Sequence, residues 1–150
     1  MSIISKFNFA PTETAKQNLL NESRNSDNIY VTGNTAIDAL KTTVKDDYTH
    51  PMLEWASGSR LIMITAHRRE NLGEPMKHMF NAIKRIVNEH SDIKAIYPIH
   101  MNPVVRETAN NILAGIDRIK IIDPLEVVDF HNFLNASFLI LTDSGGIQEE

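Results

Sequence analysis

The 150-residue chain has the length of one ordinary domain, and its 42% hydrophobic and 23% charged content is that of a globular protein. A formal charge of −4 argues against a duplex nucleic-acid binder, which needs a basic face, but leaves room for a small anionic ligand held by a few local cations. The absence of cysteine excludes disulfides and thiolate chemistry and fits a reducing cytoplasm, and no apolar run is long enough to span a bilayer. The opening Met1-Ser-Ile-Ile-Ser-Lys-Phe7 lacks the charged and apolar regions of a signal peptide.

Residues 11–22 read as a helix, with Thr12 as N-cap and Ala15, Leu19 and Leu20 along one side. A polar loop leads to a short strand at 28–32, closed by Gly33-Asn34. A second helix is expected over 35–45, with Ala36, Ile37, Ala39 and Leu40 as its apolar stripe. Residues 46–59 read as a linker with a short helical piece around Trp55. A regular alternation then begins, with a strand at 60–65 and a polar loop at 66–74. The helix over 75–90 opens on a proline and gathers Met76, Met79, Phe80, Ile83, Ile86 and Val87 on one face. A strand at 93–97, a helix at 103–113, a strand at 119–122 and a helix at 126–136 follow. The apolar run Phe138-Leu-Ile-Leu141 makes the last strand, 137–142, and reads as buried. Short apolar strands alternating with helices imply parallel βαβ units. The expected fold class is therefore α/β, a Rossmann-like parallel sheet with flanking helices.

In such a sheet every strand-to-helix loop lies on one edge. Those loops hold His67-Arg68-Arg69-Glu70-Asn71, His100-Met-Asn102, Asp123-Pro124 and Ser144-Gly-Gly146. A Ser-Gly-Gly turn between strand and helix is an anion-binding corner, because glycines admit close approach and the amides of the first helical turn point outward. Glu149 and Glu150 follow, and one of them could reach ribose hydroxyls. Paired guanidiniums beside a histidine suit a diphosphate. The blander alternatives are a plain turn at 144–146, a solvated loop with a local Arg–Glu pair at 67–70, and a structural role for His100. Phe130 shares its helix with Val127, Phe133 and Leu134, which favours core packing. His50, His78, His90 and His131 read as surface residues, and no histidine spacing suggests a metal site.

Five blocks then occur in order. They are Phe9-Ala-Pro-Thr-Glu-Thr-Ala-Lys-Gln-Asn-Leu-Leu20, Thr32-Gly-Asn-Thr-Ala-Ile-Asp-Ala-Leu40, Ala66-His-Arg-Arg-Glu-Asn-Leu-Gly-Glu-Pro75, Tyr97-Pro-Ile-His-Met-Asn-Pro103 and Thr142-Asp-Ser-Gly-Gly-Ile-Gln-Glu-Glu150. Together, from about residue 7 onward, the chain resembles the non-hydrolysing bacterial UDP-N-acetylglucosamine 2-epimerases. The resemblance implies a GT-B-type fold of two Rossmann-like domains, with residues 1–33 the end of the N-terminal one and 34–150 the UDP-binding C-terminal one. It implies interconversion of UDP-GlcNAc and UDP-ManNAc in the cytoplasm. UDP is eliminated to leave a 2-acetamidoglucal, which is reprotonated at C2 from the other face before UDP adds back. It implies no metal or redox cofactor, no nucleic-acid or membrane partner, a homodimer at full length, and a product destined for cell-envelope polysaccharide.

Residue by residue, His67 resembles the active-site histidine beside the leaving diphosphate. Ser144 and Gly145, with Gly146 next to them, resemble the phosphate-binding turn. Glu150 resembles the acid on the ribose hydroxyls and Phe130 the side chain beside the uracil. Arg68 and His100 resemble residues of an adjacent regulatory UDP-GlcNAc site. The chain is expected to be an incomplete, truncated C-terminal domain, inactive alone, with apolar surface left exposed on the last strand and on the helix at 126–136. The rival functions are a GT-B glycosyltransferase, a hydrolysing epimerase that releases free ManNAc, and a non-catalytic nucleotide-binding piece. The His67-Arg-Arg-Glu block speaks against the transferase.

Overall fold

The structure, a computed structural model, describes residues 4–149. Its packing separates into two units, residues 1–42 and 43–150. The first holds a parallel pair of short strands, β1 (Asn8–Ala10) and β2 (Ile29–Val31), with Asn8 opposite Ile29 and Ala10 opposite Val31. Between them runs α1 (Glu13–Asn21), started as expected by Thr12, whose hydroxyl accepts from the Ala15 amide at 3.1 Å. The strand β1 is not expected from the sequence, because three residues are too few to show a period of two. The helix α2 (Thr35–Thr43) follows, and neither α1 nor α2 fully buries any residue of its anticipated stripe. Ile37 is exposed.

The second unit is a four-stranded, all-parallel sheet. Its strands are β3 (Arg60–Thr65), β4 (Ile93–Pro98), β5 (Ile119–Ile122) and β6 (Leu139–Thr142), in the spatial order β5-β4-β3-β6. Its helices are α3 (Pro51–Ala56), α4 (Glu74–Glu89), α5 (Pro103–Leu113) and α6 (Val127–Ala136). The chain builds outward from β3 through β4 to β5, then returns by α6 to place β6 on the other side of β3. The order therefore reverses between β3 and β6.

Successive strand residues point to opposite faces, and the two cores obey that period. On one face Ile62, Ile64, Ala95, Tyr97 and Ile119 meet Met76, Phe80, Ile83 and Val87 of α4 and Val105, Ala109 and Leu113 of α5. On the other, Leu61, Met63 and Ile96 meet Ala56 of α3 and Phe133 and Leu134 of α6. Continuous apolar strands are what a sheet covered on both faces requires. Helices α4 and α6 match their anticipated bounds to within a residue, and α5 matches outright.

Two expectations fail. The run at 138–141 is not buried: among the described residues β6 pairs only with β3, and Phe138 and Leu139 are 62% and 44% exposed, which is the apolar surface also expected on the last strand. An apolar sequence cannot by itself distinguish a central strand from an edge strand. His131 is not a surface residue: α6 turns it inward, where its Nδ1 lies 2.7 Å from the Thr43 hydroxyl. The neighbouring Asn132 ties the same segment down, accepting from the Lys45 amide and donating to the Thr43 carbonyl. Val127 and Val128 of α6 are exposed, as anticipated for this helix.

Phe80 is wholly buried and its ring lies 5.6 Å from that of Tyr97. Replacing a buried Phe by Ala typically costs about 3–5 kcal/mol. Phe80→Ala should therefore remove most of the stability in urea denaturation. A midpoint close to wild type would mean that α4 does not carry this core.

Candidate functional site

A reversal of strand order leaves a crevice beyond the C-terminal ends of the strands, the place where open α/β sheets bind ligands. Here the crevice is bordered by the loop after β3, which begins at Ala66, and by the turn after β6, which begins at Asp143. The loop after β4, from Ile99 to Asn102, lies beside them.

A cavity of about 330 Å³ opens at this edge, lined by His67, His100, Met101, Leu125, Phe130 and Ile147 among others. It is mostly apolar and includes two imidazoles in its lining, the kind of wall usual for small-molecule sites. The rings of His67 and His100 stack, 5.4 Å apart and inclined by 9°. His100 is oriented from below: its Nδ1 accepts from the Asn102 amide at 3.1 Å, and Asn102 in turn caps α5 by accepting from Val104. Tyr97 packs beneath the loop, and its hydroxyl donates to the Ala66 carbonyl at 2.5 Å. Burial, and secondarily the charge of Asp143, push the Tyr97 hydroxyl above the ordinary tyrosine range, so it remains a donor.

Asp143 organises the crevice. Its side chain is only 7% exposed. One oxygen accepts from the Arg68 amide at 2.9 Å and from the Asn71 side-chain amide at 3.1 Å. The His67 amide donates to both oxygens, at 3.2 and 3.1 Å, and His67 Nδ1 stands 3.8 Å away. Burial raises the carboxyl's affinity for a proton. The bonds from Arg68, Asn71 and His67 outweigh it and hold Asp143 below the usual carboxylate range. The Asp143 amide donates to the Thr65 carbonyl, continuing the β3–β6 pairing. The hydroxyls of Thr65 and Thr142 bond across the strand ends at 2.6 Å, and the Ser144 amide donates to Thr142.

The turn after Asp143 ends in one turn of 3₁₀ helix, Ile147–Glu149, with Gln148 donating to the Ser144 carbonyl and Glu149 to that of Gly146. Gly145 and Gly146 are exposed and offer backbone with no side chain over it. The Arg68 guanidinium stands beside this turn. Its Nη2 is 3.9 Å from the point where a β-carbon on Gly145 would sit.

The structure thus gathers His67, His100 and Phe130 around one cavity, and Arg68, Ser144 and Gly145 around the adjoining turn. Phe130 is half-buried: it packs at the margin of the α6 core and also walls the cavity, so its two readings are compatible. Glu150 lies outside the described residues. Asp143 and Tyr97 both stand in the blocks that carry the resemblance, but the sequence assigns neither a role. Only contacts at a separation of 70 or more residues identify Asp143, though an acid directly after a buried-type strand and before glycines is a usable signal. Among the described residues no three His, Asp or Glu side chains cluster as metal ligands.

The family model described as UDP-N-acetylglucosamine 2-epimerase matches residues 1–150. A Bacillus subtilis protein named UDP-N-acetylglucosamine 2-epimerase is 58% identical over 147 residues, which are 98% of this chain and 39% of that protein. The S. aureus MnaA–UDP co-structure superposes with a TM-score of 0.94 at 50% identity, over 99% of this chain and 41% of the other. The Neisseria meningitidis UDP-GlcNAc 2-epimerase bound to UDP-GlcNAc superposes with a TM-score of 0.88 at 40% identity, over 99% and 42%. The chain spans about two fifths of the length of these relatives.

Because the folded pKa of Asp143 is depressed, its contribution to stability is complete above the unfolded value, about 3.9, and is lost as pH falls through the folded value. The difference in melting temperature between wild type and Asp143→Asn should be constant near neutrality and shrink as pH falls below the ordinary carboxylate range. Other shifted acids, such as Glu74 and Asp92, cancel in this difference. A difference independent of pH would mean that the carboxylate charge does not hold the loop.

Proposed function

The chain belongs to the UDP-N-acetylglucosamine 2-epimerase family, and from that membership we propose that residues 34–150 form the UDP-binding domain of such an enzyme, following an N-terminal domain that ends near residue 33. The reading differs from the packing partition only in which side α2 joins. The observation that carries it is the meeting of the cationic His67-Arg68 loop with the Ser144-Gly-Gly146 turn at the reversal of strand order. The relatives crystallised with UDP and UDP-GlcNAc support the same ligand class.

In this assignment the diphosphate lies on the turn at Ser144 and Gly145, with Gly146 beside it, under the Arg68 guanidinium. The uracil occupies the apolar cavity against Phe130. Glu150 holds the ribose hydroxyls. The reaction removes the proton at C2 of the sugar and breaks the bond between C1 and the β-phosphate oxygen, which leaves 2-acetamidoglucal and UDP. The proton is taken by a carboxylate of the N-terminal domain, another group delivers a proton to C2 from the opposite face, and UDP adds back to C1. His67 stands where charge grows on the leaving diphosphate. Arg68 and His100 stand close enough to the same edge to serve a second, regulatory UDP-GlcNAc. At full length the protein is a cytoplasmic homodimer that supplies UDP-ManNAc for envelope polysaccharide.

Activity is tested in a chimera in which these 150 residues replace the matching segment of the B. subtilis relative. It should convert UDP-GlcNAc to UDP-ManNAc, whereas release of free ManNAc would indicate a hydrolase. In that chimera His67→Ala should lower turnover by about 10²-fold, the typical loss when one donor to a developing anion is removed. Turnover near wild type would take His67 out of the mechanism.

Gly145→Ala separates binding from folding. The added methyl meets only Arg68 Nη2, at an ordinary 3.9 Å, so the melting temperature should not move. The methyl stands on the surface assigned to the diphosphate, and UDP affinity should fall about tenfold or more, a loss of roughly 1.4 kcal/mol. Unchanged affinity in an NMR titration would place the diphosphate elsewhere.

A further inference from the structure

An anion-binding crevice that contains a buried carboxylate of its own is a paradox of charge. Asp143 sits directly before the glycine turn, almost fully enclosed, and is held in its ionised form by its partners. At ordinary range a fixed negative charge repels a diphosphate. Its partners explain its presence. The amides of His67 and Arg68 and the side chain of Asn71 all converge on this one carboxylate. They draw the loop after β3 around the end of β6. That is the arrangement that leaves the Arg68 guanidinium beside Gly145 and the His67 ring against His100.

We propose that Asp143 is a positioning residue whose buried carboxylate serves as a built-in anion, folding the His67-to-Asn71 loop so that Arg68 overhangs the Ser144-Gly-Gly146 turn. The inference rests on the UDP-binding reading and deepens it, since it names what aims the cations at the diphosphate. Charge-assisted bonds of this kind are stronger than neutral ones, and three groups of the loop converge on the one carboxylate.

The sign of one measurement separates positioning from simple electrostatics. If Asp143 acted only through its charge, Asp143→Asn would bind UDP more tightly. If it positions the loop, Asp143→Asn binds about tenfold more weakly or worse, because its amide nitrogen faces donors and loses them. UDP is titrated into the 150-residue chain and followed by ¹H–¹⁵N NMR. Asp143→Ala is titrated in sodium formate and in sodium chloride of matched ionic strength. Formate, a carboxylate of the right size for the vacated space, should restore affinity where chloride does not. Tighter or unchanged UDP binding in a folded Asp143→Asn overturns the proposal, as does equal behaviour in the two salts.

If the wild-type chain shows no UDP-induced shifts at 144–146, the UDP reading itself fails. The loop is then judged separately by hydrogen exchange. The His67 and Arg68 amides should exchange faster in Asp143→Asn while the Ile62 amide in the core keeps its protection. Unaltered protection at 67 and 68 overturns the positioning role.

Discussion

Everything at this site depends on where the sheet turns back on itself. Strands β3, β4 and β5 are laid down in one direction, and β6 is then inserted on the far side of β3. Two loops distant in sequence are brought together by this reversal. One carries His67 and Arg68, and the other carries Ser144, Gly145 and Gly146. Without the reversal each would be an ordinary polar connection. The helices follow the same logic: α4 and α5 cover one face, α3 and α6 the other, so both loops are anchored in cores that close-packing makes stiff.

On that frame the crevice is organised by a charge that is not part of any ligand. Asp143 is enclosed, ionised and satisfied by three groups of the opposite loop. Neighbouring contacts reinforce it. Thr65 and Thr142 lock the two strand ends together, and Tyr97 fixes the Ala66 carbonyl from below. A loop with two arginines would otherwise lose considerable conformational entropy on gripping an anion. Here the backbone of that loop is already ordered within the folded chain. The two histidines benefit likewise, since the Asn102 cap of α5 sets His100 and the Asp143 network sets the backbone that carries His67.

Much of this architecture was legible in the sequence, and for physical reasons. The helices α4, α5 and α6 announce themselves because a 3.6-residue period over ten or more positions, opened in two cases by proline, has few other solutions. Strands β3, β4 and β5 are short apolar runs between those helices, so a parallel sheet follows. The turn at 144–146 and the loop at 67–71 are placed on one edge by topology alone. Three-residue strands such as β1 leave no period to detect. Of the two expectations for the last strand, burial of the run at 138–141 fails and exposed apolar surface holds at Phe138 and Leu139, because hydrophobicity records what a residue would gain from burial and not what stands next to it.

What the sequence determined by itself is thus the fold class, the boundaries of the main helices and the set of loops that share one edge of the sheet. These rest on local periodicity and on the handedness of βαβ units, both of which act over a few tens of residues. What only the tertiary structure decided is which side chains meet. Asp143 reaches His67, Arg68 and Asn71 across more than seventy residues of chain, and Thr43 reaches His131 across 88. Phe130 divides itself between a core and a cavity wall. No local pattern encodes such contacts. They arise when β6 pairs with β3 and α6 closes on its face of the sheet, and the buried polar groups must then find partners or be left out of water without any.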